Sequence, residues 1–456
     1  MSRWCVGFAV AGVLGWAVEV WGAGERLAER LRVGEARRVE ATLEVQGTRP
    51  GMPVRRPDPG HAAAAVPPEE SLPFGFRSRL RWVERVRQVD QSGRVEAVAR
   101  RLEQADGQVE AFRGLGQTAR VGVREEVGLL LAVRRGAEVV VASAGGPLTR
   151  EELDLVQGAC DPLLLAEMLP ARAVDVGDRW ELPETAARSI SEYERIDANT
   201  LRARLAALDD RAARIELSGQ VQGQVRGARG TVQARGELIY DRVGQQVRQL
   251  RLERTEKRSQ GHVESALDVR STLELKIEAI EPPRELDEAT LAELPLELDE
   301  PRLLLVLGAP GGRARLLHDR AWHVTASEAG RVVLRRVVGQ DLIARCDLVA
   351  GPNAGPGRHQ DPDQFRADAE QALGAAVGQL LGFGEVEGPP RAGYRYKVSL
   401  EGREQTHGDV PIWYYHLAAS PQGDQLVAIF TLSRASAAAF ADQDERMMAT
   451  LEWVMR

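Results

Sequence analysis

The stretch that most constrains this chain is Val263–Ile277. Val263, Leu267, Val269, Leu273, Leu275 and Ile277 fall on one side of an alternating pattern, interrupted by Ser265 and Ser271. Glu264, Asp268, Arg270, Thr272, Glu274 and Lys276 fill the other side. A period of two is that of a strand with one buried face, and at about 3.3 Å per residue this one spans roughly 50 Å. Strands of that length belong to a large curved sheet or an open barrel. Val232–Tyr240 and Arg38–Val45 alternate in the same way, and shorter strand patterns recur at 77–89, 94–103, 108–113, 118–125, 127–134 and 137–143. Their separators, among them Asp106-Gly107 and Arg135-Gly136, have turn chemistry, so the expected arrangement is an antiparallel meander.

Two helical signals interrupt it. Thr149-Arg-Glu-Glu152 is a capping box, and Asp161-Pro162 places a cap and a first-turn proline before Leu163–Leu169. This pair is expected to lie over the apolar face of the sheet. Residues 46–75, with seven prolines, read as a long loop. Residues 281–301 open with Pro282-Pro283 and carry eight acidic side chains and one arginine, which predicts a solvated linker with a short helix at Glu285–Leu294. The expected organisation is a leader at 1–24, a β-rich domain at 25–280, the acidic linker, and a second domain at 302–456.

In the second domain, Asp361-Pro362-Asp363-Gln364 caps a helix with Phe365, Ala369, Leu373, Ala376 and Leu380 on one face. Arg391–Leu432 then holds three apolar runs separated by turn-rich loops. Tyr394, Tyr396, Val398 and Leu400 alternate, while Ile412–Leu417 and Leu426–Leu432 are apolar nearly throughout, the pattern of strands covered on both faces. A last helix is expected at Ser436–Ala449. The predicted class is α+β: a large curved antiparallel sheet with a helical cover, followed by an α-β-α sandwich with an antiparallel sheet.

At the N-terminus, Arg3 precedes an apolar run from Cys5 to Val18 and then Gly22-Ala23-Gly24. That is a charged start, a core too short to span a bilayer, and a small-residue cleavage site, so 1–24 reads as a secretory signal peptide, with an uncleaved N-terminal anchor as the alternative. The expected location is periplasmic or extracellular. The net charge of −7 argues against nucleic acid or anionic membrane as partner. Cys160 and Cys346 are distant and do not form a disulfide scaffold; each is expected to pack as a small hydrophobe.

No catalytic constellation, metal set or cofactor motif emerges. Gly308-Ala-Pro-Gly-Gly312 after Leu303–Leu307 lacks the Lys-Ser/Thr of a phosphate loop and reads as a hairpin turn. His318 and His323 lack a third ligand, and no serine lies in a Gly-x-Ser-x-Gly context. The dense aromatic cluster is Trp413-Tyr-Tyr-His416, read chiefly as core. Its polar tips, Tyr414 and His416, together with Tyr394 and Tyr396, are the candidate groove for a partner or ligand.

The order Asp319-Arg-Ala-Trp322, Leu342-Ile-Ala-Arg-Cys346, the Phe365–Leu380 helix, Gly393-Tyr394, Trp413-Tyr-Tyr415, Phe430-Thr431, Asp444 and Leu451 resembles the Mog1/PsbP-like family over residues 303–456. The resemblance implies an α-β-α sandwich and a binding or assembly role without catalysis. It transfers no partner and no active site. Leu169–Trp180 is similar to uncharacterised exported β-rich bacterial envelope proteins, which implies location only. The expected function is therefore a non-enzymatic binding or assembly module. The alternative is a carrier that holds a lipid or other apolar ligand in the concave face of the N-terminal sheet, by analogy with periplasmic lipoprotein carriers.

Overall fold

The computed structural model describes residues 24–50, 71–111, 117–387, 393–404 and 409–454. The predicted leader falls outside this range apart from Gly24. So does the centre of the proline-rich loop: β1 (Ala36–Pro50) and β2 (Ser71–Val89) pair as far as Pro50 opposite Ser71, which leaves 51–70 beyond the described residues.

The remaining strands of the first sheet are β3 (Val95–Ala111), β4 (Gln117–Gly122), β5 (Leu129–Arg135), β6 (Glu138–Ser143), β7 (Arg179–Glu181), β8 (Arg195–Asn199), β9 (Arg202–Leu208), β10 (Ala212–Val225), β11 (Ala228–Asp241), β12 (Gln246–Arg258) and β13 (Leu267–Ile280). They form one 13-stranded antiparallel sheet of order β6-β5-β3-β2-β1-β13-β12-β11-β10-β9-β7, with β4 on β3 and β8 on β10. The strand expected to start at Val263 starts at Leu267. Gly107 does not turn the chain; it lies within β3, opposite Ser78.

Three short helical pieces fill the inner face: α1 (Arg150–Val156), a 3₁₀ segment Pro162–Met168, and α2 (Glu184–Ser191). The expected caps are present, Thr149 and Glu152 as a reciprocal box and Asp161 accepting from Leu163 N. Leu165, Met168, Ala186, Ala187 and Ile190 are buried against Val39, Leu217, Val232, Leu250, Leu273 and Ile277 of the strands. Tyr193 completes the filling. Gly223 and Gly230 are directly opposed in the β10–β11 ladder, and a Cβ at Gly230 would lie 2.1 Å from the Tyr193 hydroxyl. The pair of glycines opens the trough that the ring occupies. Each large apolar side chain buried here contributes about 1.5–3 kcal/mol.

The acidic segment is not a free linker. It contains α3 (Glu288–Glu293) and α4 (Glu300–Leu303), and Leu286, Leu291 and Leu298 pack against Val83, Ala99, Leu131 and Ala142 on the outer face of the sheet. Arg87 donates to the carbonyls of Pro295 (2.8 Å), Leu291 (2.9 Å) and Leu294 (3.0 Å), and Arg85 donates to Leu286 O at 2.9 Å. The leucines between the acids bind the strap, and strand arginines satisfy its backbone.

The second domain carries β14 (Leu305–Gly308), β15 (Ala314–His318), β16 (Trp322–Glu328), β17 (Arg331–Val338), β18 (Asp341–Gly351), α5 (Pro362–Leu373), β19 (Val377–Glu385), β20 (Tyr394–Gly402), β21 (Pro411–Ala419), β22 (Gln425–Ser433), α6 (Ala437–Phe440), α7 (Gln443–Ala449) and β23 (Glu452–Trp453). Its main sheet has seven antiparallel strands in the order β16-β17-β18-β22-β21-β20-β19. Gly308–Gly312 makes the expected hairpin turn between β14 and β15.

The α+β class is corrected. Strands account for 54% and helices for 18% of the described residues, which are mainly β. Helices are shorter than their apolar periodicity suggested. The expected Phe365–Leu380 helix stops at Leu373, where Gly374 takes a φ of +53°, a helix-ending conformation that glycine adopts without strain. The expected final helix is split by Ala441 at φ +51°. What remains is a set of short covers on large sheets.

Candidate functional site

The aromatic hairpin sits at the centre of the second domain. Alternation along β21 sends Trp413, Tyr415 and Leu417 toward α5, where they pack with Phe365, Tyr396, Val398 and Leu400. Ile412, Tyr414 and His416 face α6 and α7 instead, beside Phe430, Phe440 and Met448. The four candidate groove residues are therefore divided between two faces. Tyr396 lies edge-on to Phe365 at 6.3 Å and Tyr394 stacks on His359 at 3.5 Å, both on the α5 side. Tyr414 and His416 lie on the other side, and the sheet separates the two pairs.

His416 is part of a buried polar cluster. Its Nε2 donates to Asp444 Oδ2 at 2.8 Å, and Lys397 Nζ lies 2.6 Å from the same oxygen and 2.7 Å from Glu445 Oε1. Lys397 and His416 are directly opposed in the β20–β21 ladder, where two cations would repel. Burial dominates at His416 and lowers its pKa despite the Asp444 hydrogen bond, which keeps the imidazole neutral. Burial alone would raise Asp444, but His416 and Lys397 outweigh it and hold the carboxyl below its usual range. The Lys397 ammonium also lies 4.7 Å from the Tyr414 ring centre. His416 and Asp444 are 3% and 2% exposed, too enclosed to meet a substrate. The cluster docks α7 onto the sheet.

His318 and His323 are also buried, and burial lowers their pKa to about 4 and about 2. Among the described residues no three His, Cys, Asp or Glu side chains are grouped to hold a metal ion. Cys160 and Cys346 are unpaired and buried.

One exposed feature of this domain is the edge strand β19. Among the described residues it pairs only with β20, so alternate N–H and C=O groups along its outer side have no ladder partner there. Leu380, Leu381 and Phe383 are 39%, 47% and 53% exposed. Leu380 and Phe383 oppose Leu400 and Val398, which places them on the α5 side, where Arg366 lies 4.4 Å over the Phe383 ring. Val377–Gly384 carries no charge and no proline. Sequence reasoning missed this strand by continuing the α5 periodicity into it. Gly374, Gly378, Gly382 and Gly384 were the signal against a helix.

Four other strand edges, β6, β7, β8 and β16, carry side-chain donors, charge or few residues. Arg320 Nη2 donates to Val141 O of β6 at 2.5 Å, Gln157 Nε2 to Val139 O at 2.9 Å, and Arg150 Nη2 to Trp322 O of β16 at 3.0 Å. The short β7 carries Arg179 and Glu181, and β8 carries Arg195 and Asp197.

No family model matches this chain, and no curated protein does. Among solved structures, it is similar to the Saccharomyces cerevisiae Ran-binding protein Mog1p at 9% identity and a TM-score of 0.25, over 33% of this chain and 94% of that one. Lipovitellin matches at 8% identity and a TM-score of 0.32, over 56% of this chain and 26% of that one. A Bacteroides thetaiotaomicron structure matches at 12% identity and a TM-score of 0.23, over 33% of this chain. The chain spans about half (48%) of that structure's length. Likenesses at these scores assign no function to the chain.

Proposed function

We propose that this protein is an exported, non-enzymatic binding or assembly module whose docking surface is the β19 edge. The observation that carries this reading is the exposure of the β19 edge: Val377 O accepts from Arg403 Nε at 3.2 Å, and beyond it, among the described residues, the outer backbone has no ladder partner and lies beside three exposed apolar side chains. Strand addition uses such an edge, main-chain hydrogen bonds giving affinity and alternate side chains giving selectivity. The Mog1/PsbP-like resemblance of residues 303–456 points to the same class of role. The filled inner face of the N-terminal sheet favours it over the carrier alternative, since Leu165, Met168, Ile190 and Tyr193 occupy the space an apolar ligand would need.

The test is native mass spectrometry of the protein isolated gently from its own envelope fraction, alongside a Leu381→Lys/Phe383→Lys variant. The expected result is an added polypeptide mass on the unsubstituted protein that the variant lacks. A mass excess that dissociates as lipid, equal in both proteins, would overturn the reading.

A further inference from the structure

We propose that the second domain holds a site for a small apolar monocarboxylate, in the cavity between α4, β15, β16 and α7. The site is separate from the β19 edge and goes beyond the docking reading.

The cavity measures about 470 Å³, within the range of roughly 300–1,000 Å³ that small-molecule sites occupy. Leu303, Leu304, Leu317 and Met447 supply an apolar wall. Trp322 and Arg336 also line it and supply a polar one. The two are directly opposed in the β16–β17 ladder, so their side chains leave the same face of the sheet. Packing fixes the indole, which meets Phe430 and Phe440 edge-on with ring centres 5.9 and 6.4 Å away.

Both side chains are enclosed, Trp322 at 1% and Arg336 at 9% exposure, and both can only donate hydrogen bonds. Arg336 Nη2 donates to Asp319 Oδ2 at 3.0 Å. Arg336 Nε, Arg336 Nη1 and Trp322 Nε1 have no acceptor among the described residues. A buried donor left unmet costs about 1–3 kcal/mol, so three on neighbouring side chains call for an acceptor from outside the chain. The oxygens nearby are engaged or outlying. Asp319 Oδ1 accepts from Ala321 N at 2.9 Å, Thr450 Oγ1 accepts from Leu317 N at 2.8 Å, and Glu300 is exposed.

Charge selects an anion. Arg320, on the same cavity, donates to Leu303 O at 3.0 Å and Val141 O at 2.5 Å, and among the described residues no carboxylate pairs with it. Burial, with Arg150 and Arg135 close by, lowers its pKa to about 10, which leaves it cationic at neutral pH. The other groups bring no spare charge: Arg446 pairs with Asp442 at 2.7 Å, and His318 is kept neutral by burial. A carboxylate answers the whole set, because its two oxygens accept from a guanidinium fork. An apolar body then covers the leucine wall, and an aromatic ring suits the Met447 thioether. The unmet donors are covered as the side chains stand. Seating the ligand therefore turns the outer torsions of Arg336, a rearrangement of a size common on binding.

The test is isothermal titration calorimetry of the whole protein with phenylbutyrate, and with phenylbutanol as its uncharged counterpart. One phenylbutyrate per chain is expected to bind, and phenylbutanol about tenfold more weakly, the worth of a charge-assisted hydrogen bond. Hydrogen exchange is expected to slow in α7 and at the start of β16 but not in β19. Arg336→Lys keeps a cation for Asp319 and removes the fork, and is expected to weaken phenylbutyrate about tenfold while leaving phenylbutanol unchanged. Leu381→Lys/Phe383→Lys is expected to bind phenylbutyrate as the parent does, which separates this site from the docking edge. Absence of phenylbutyrate binding, or equal binding of acid and alcohol, overturns the proposal whether or not Arg336→Lys folds. Binding that a folded Arg336→Lys variant leaves unchanged overturns it as well.

Discussion

Neutralising Glu84 tests whether an ionic row buried under the helical cover holds the first domain together. Glu84 is fully buried in β2 and accepts from Arg37 Nε at 2.5 Å, Arg100 Nε at 2.8 Å and Trp82 Nε1 at 2.9 Å. Arg100 continues the row to Asp161, with two bonds of 2.7 Å. Burial alone would raise the Glu84 pKa, but Arg37 and Arg100 outweigh it and hold it at about 2, against an ordinary 4.5. At 1.36 kcal/mol per unit, that difference corresponds to about 3 kcal/mol favouring the charged carboxylate. Glu84→Gln keeps the shape and removes the charge, leaving the enclosed Arg37 guanidinium without its carboxylate while Arg100 keeps Asp161. Breaking a buried pair from one side costs about 3–5 kcal/mol, in agreement with the first figure. Urea unfolding followed by tryptophan fluorescence is expected to show that loss at neutral pH. Because the folded pKa is depressed, the Glu84 contribution is complete above the unfolded value and disappears as pH falls toward about 2. The Gln variant is therefore expected to lose less stability than the parent over that acid range. A cost below about 1 kcal/mol at pH 7 would refute the argument and mean that water screens the row.

Three further outcomes rest on the packing. His318 has a folded pKa of about 4, lowered by burial, so the unfolded chain takes up its proton first. Stability falls as pH drops from 7 to 5, by about 2 kcal/mol from this residue alone, and His318→Asn flattens that limb in unfolding measured at the two pH values. Asp444→Asn leaves Lys397 and His416 without their shared carboxylate and is expected to cost about 3 kcal/mol, read as faster amide exchange in α7; exchange equal to the parent would contradict the docking role. Gly230→Ala drives a methyl into the Tyr193 hydroxyl and is expected to destabilise by about 1–3 kcal/mol, with Tyr193→Phe restoring part of the loss in the double variant.

Much of the fold was legible because the two periodicities are strong. The alternation in Val232–Tyr240 and Leu267–Ile277 has its counterpart in the ladders of β11 and β13, and Val232, Leu238, Tyr240, Val269, Leu273, Leu275 and Ile277 of its apolar face are buried. Thr149, Asp161 and Asp361 cap where their spacing predicted. The acidic strap was misread for a different reason. Its charge pattern is that of a solvated linker, and what binds it are leucines at 286, 291 and 298 meeting apolar residues on strands far away in sequence. No local signal carries that pairing, nor does one show that Tyr414 and Tyr394 lie on opposite faces.

The remaining misreadings concern glycine, and they explain why the candidate surface went unseen. A glycine can serve a turn, a helix end or a close approach, and sequence alone does not say which. Asp106-Gly107 has turn chemistry, yet Gly107 stays in β3, where a Cβ would lie 3.2 Å from Leu155 of the covering helix α1. At Gly374 the opposite choice is made. The apolar spacing of Phe365, Ala369, Leu373, Ala376 and Leu380 favours continuing the helix, but interior glycines at 374 and 378 would each cost about 1 kcal/mol. The positive φ at Gly374 releases the chain, and Val377–Glu385 becomes a strand. Leu380, which in a continued helix would have joined the α5 core, is turned out to the sheet edge beside Leu381 and Phe383. An exposed apolar edge made by ending a helix leaves no motif of its own; its trace is the glycine spacing that disfavours the longer helix.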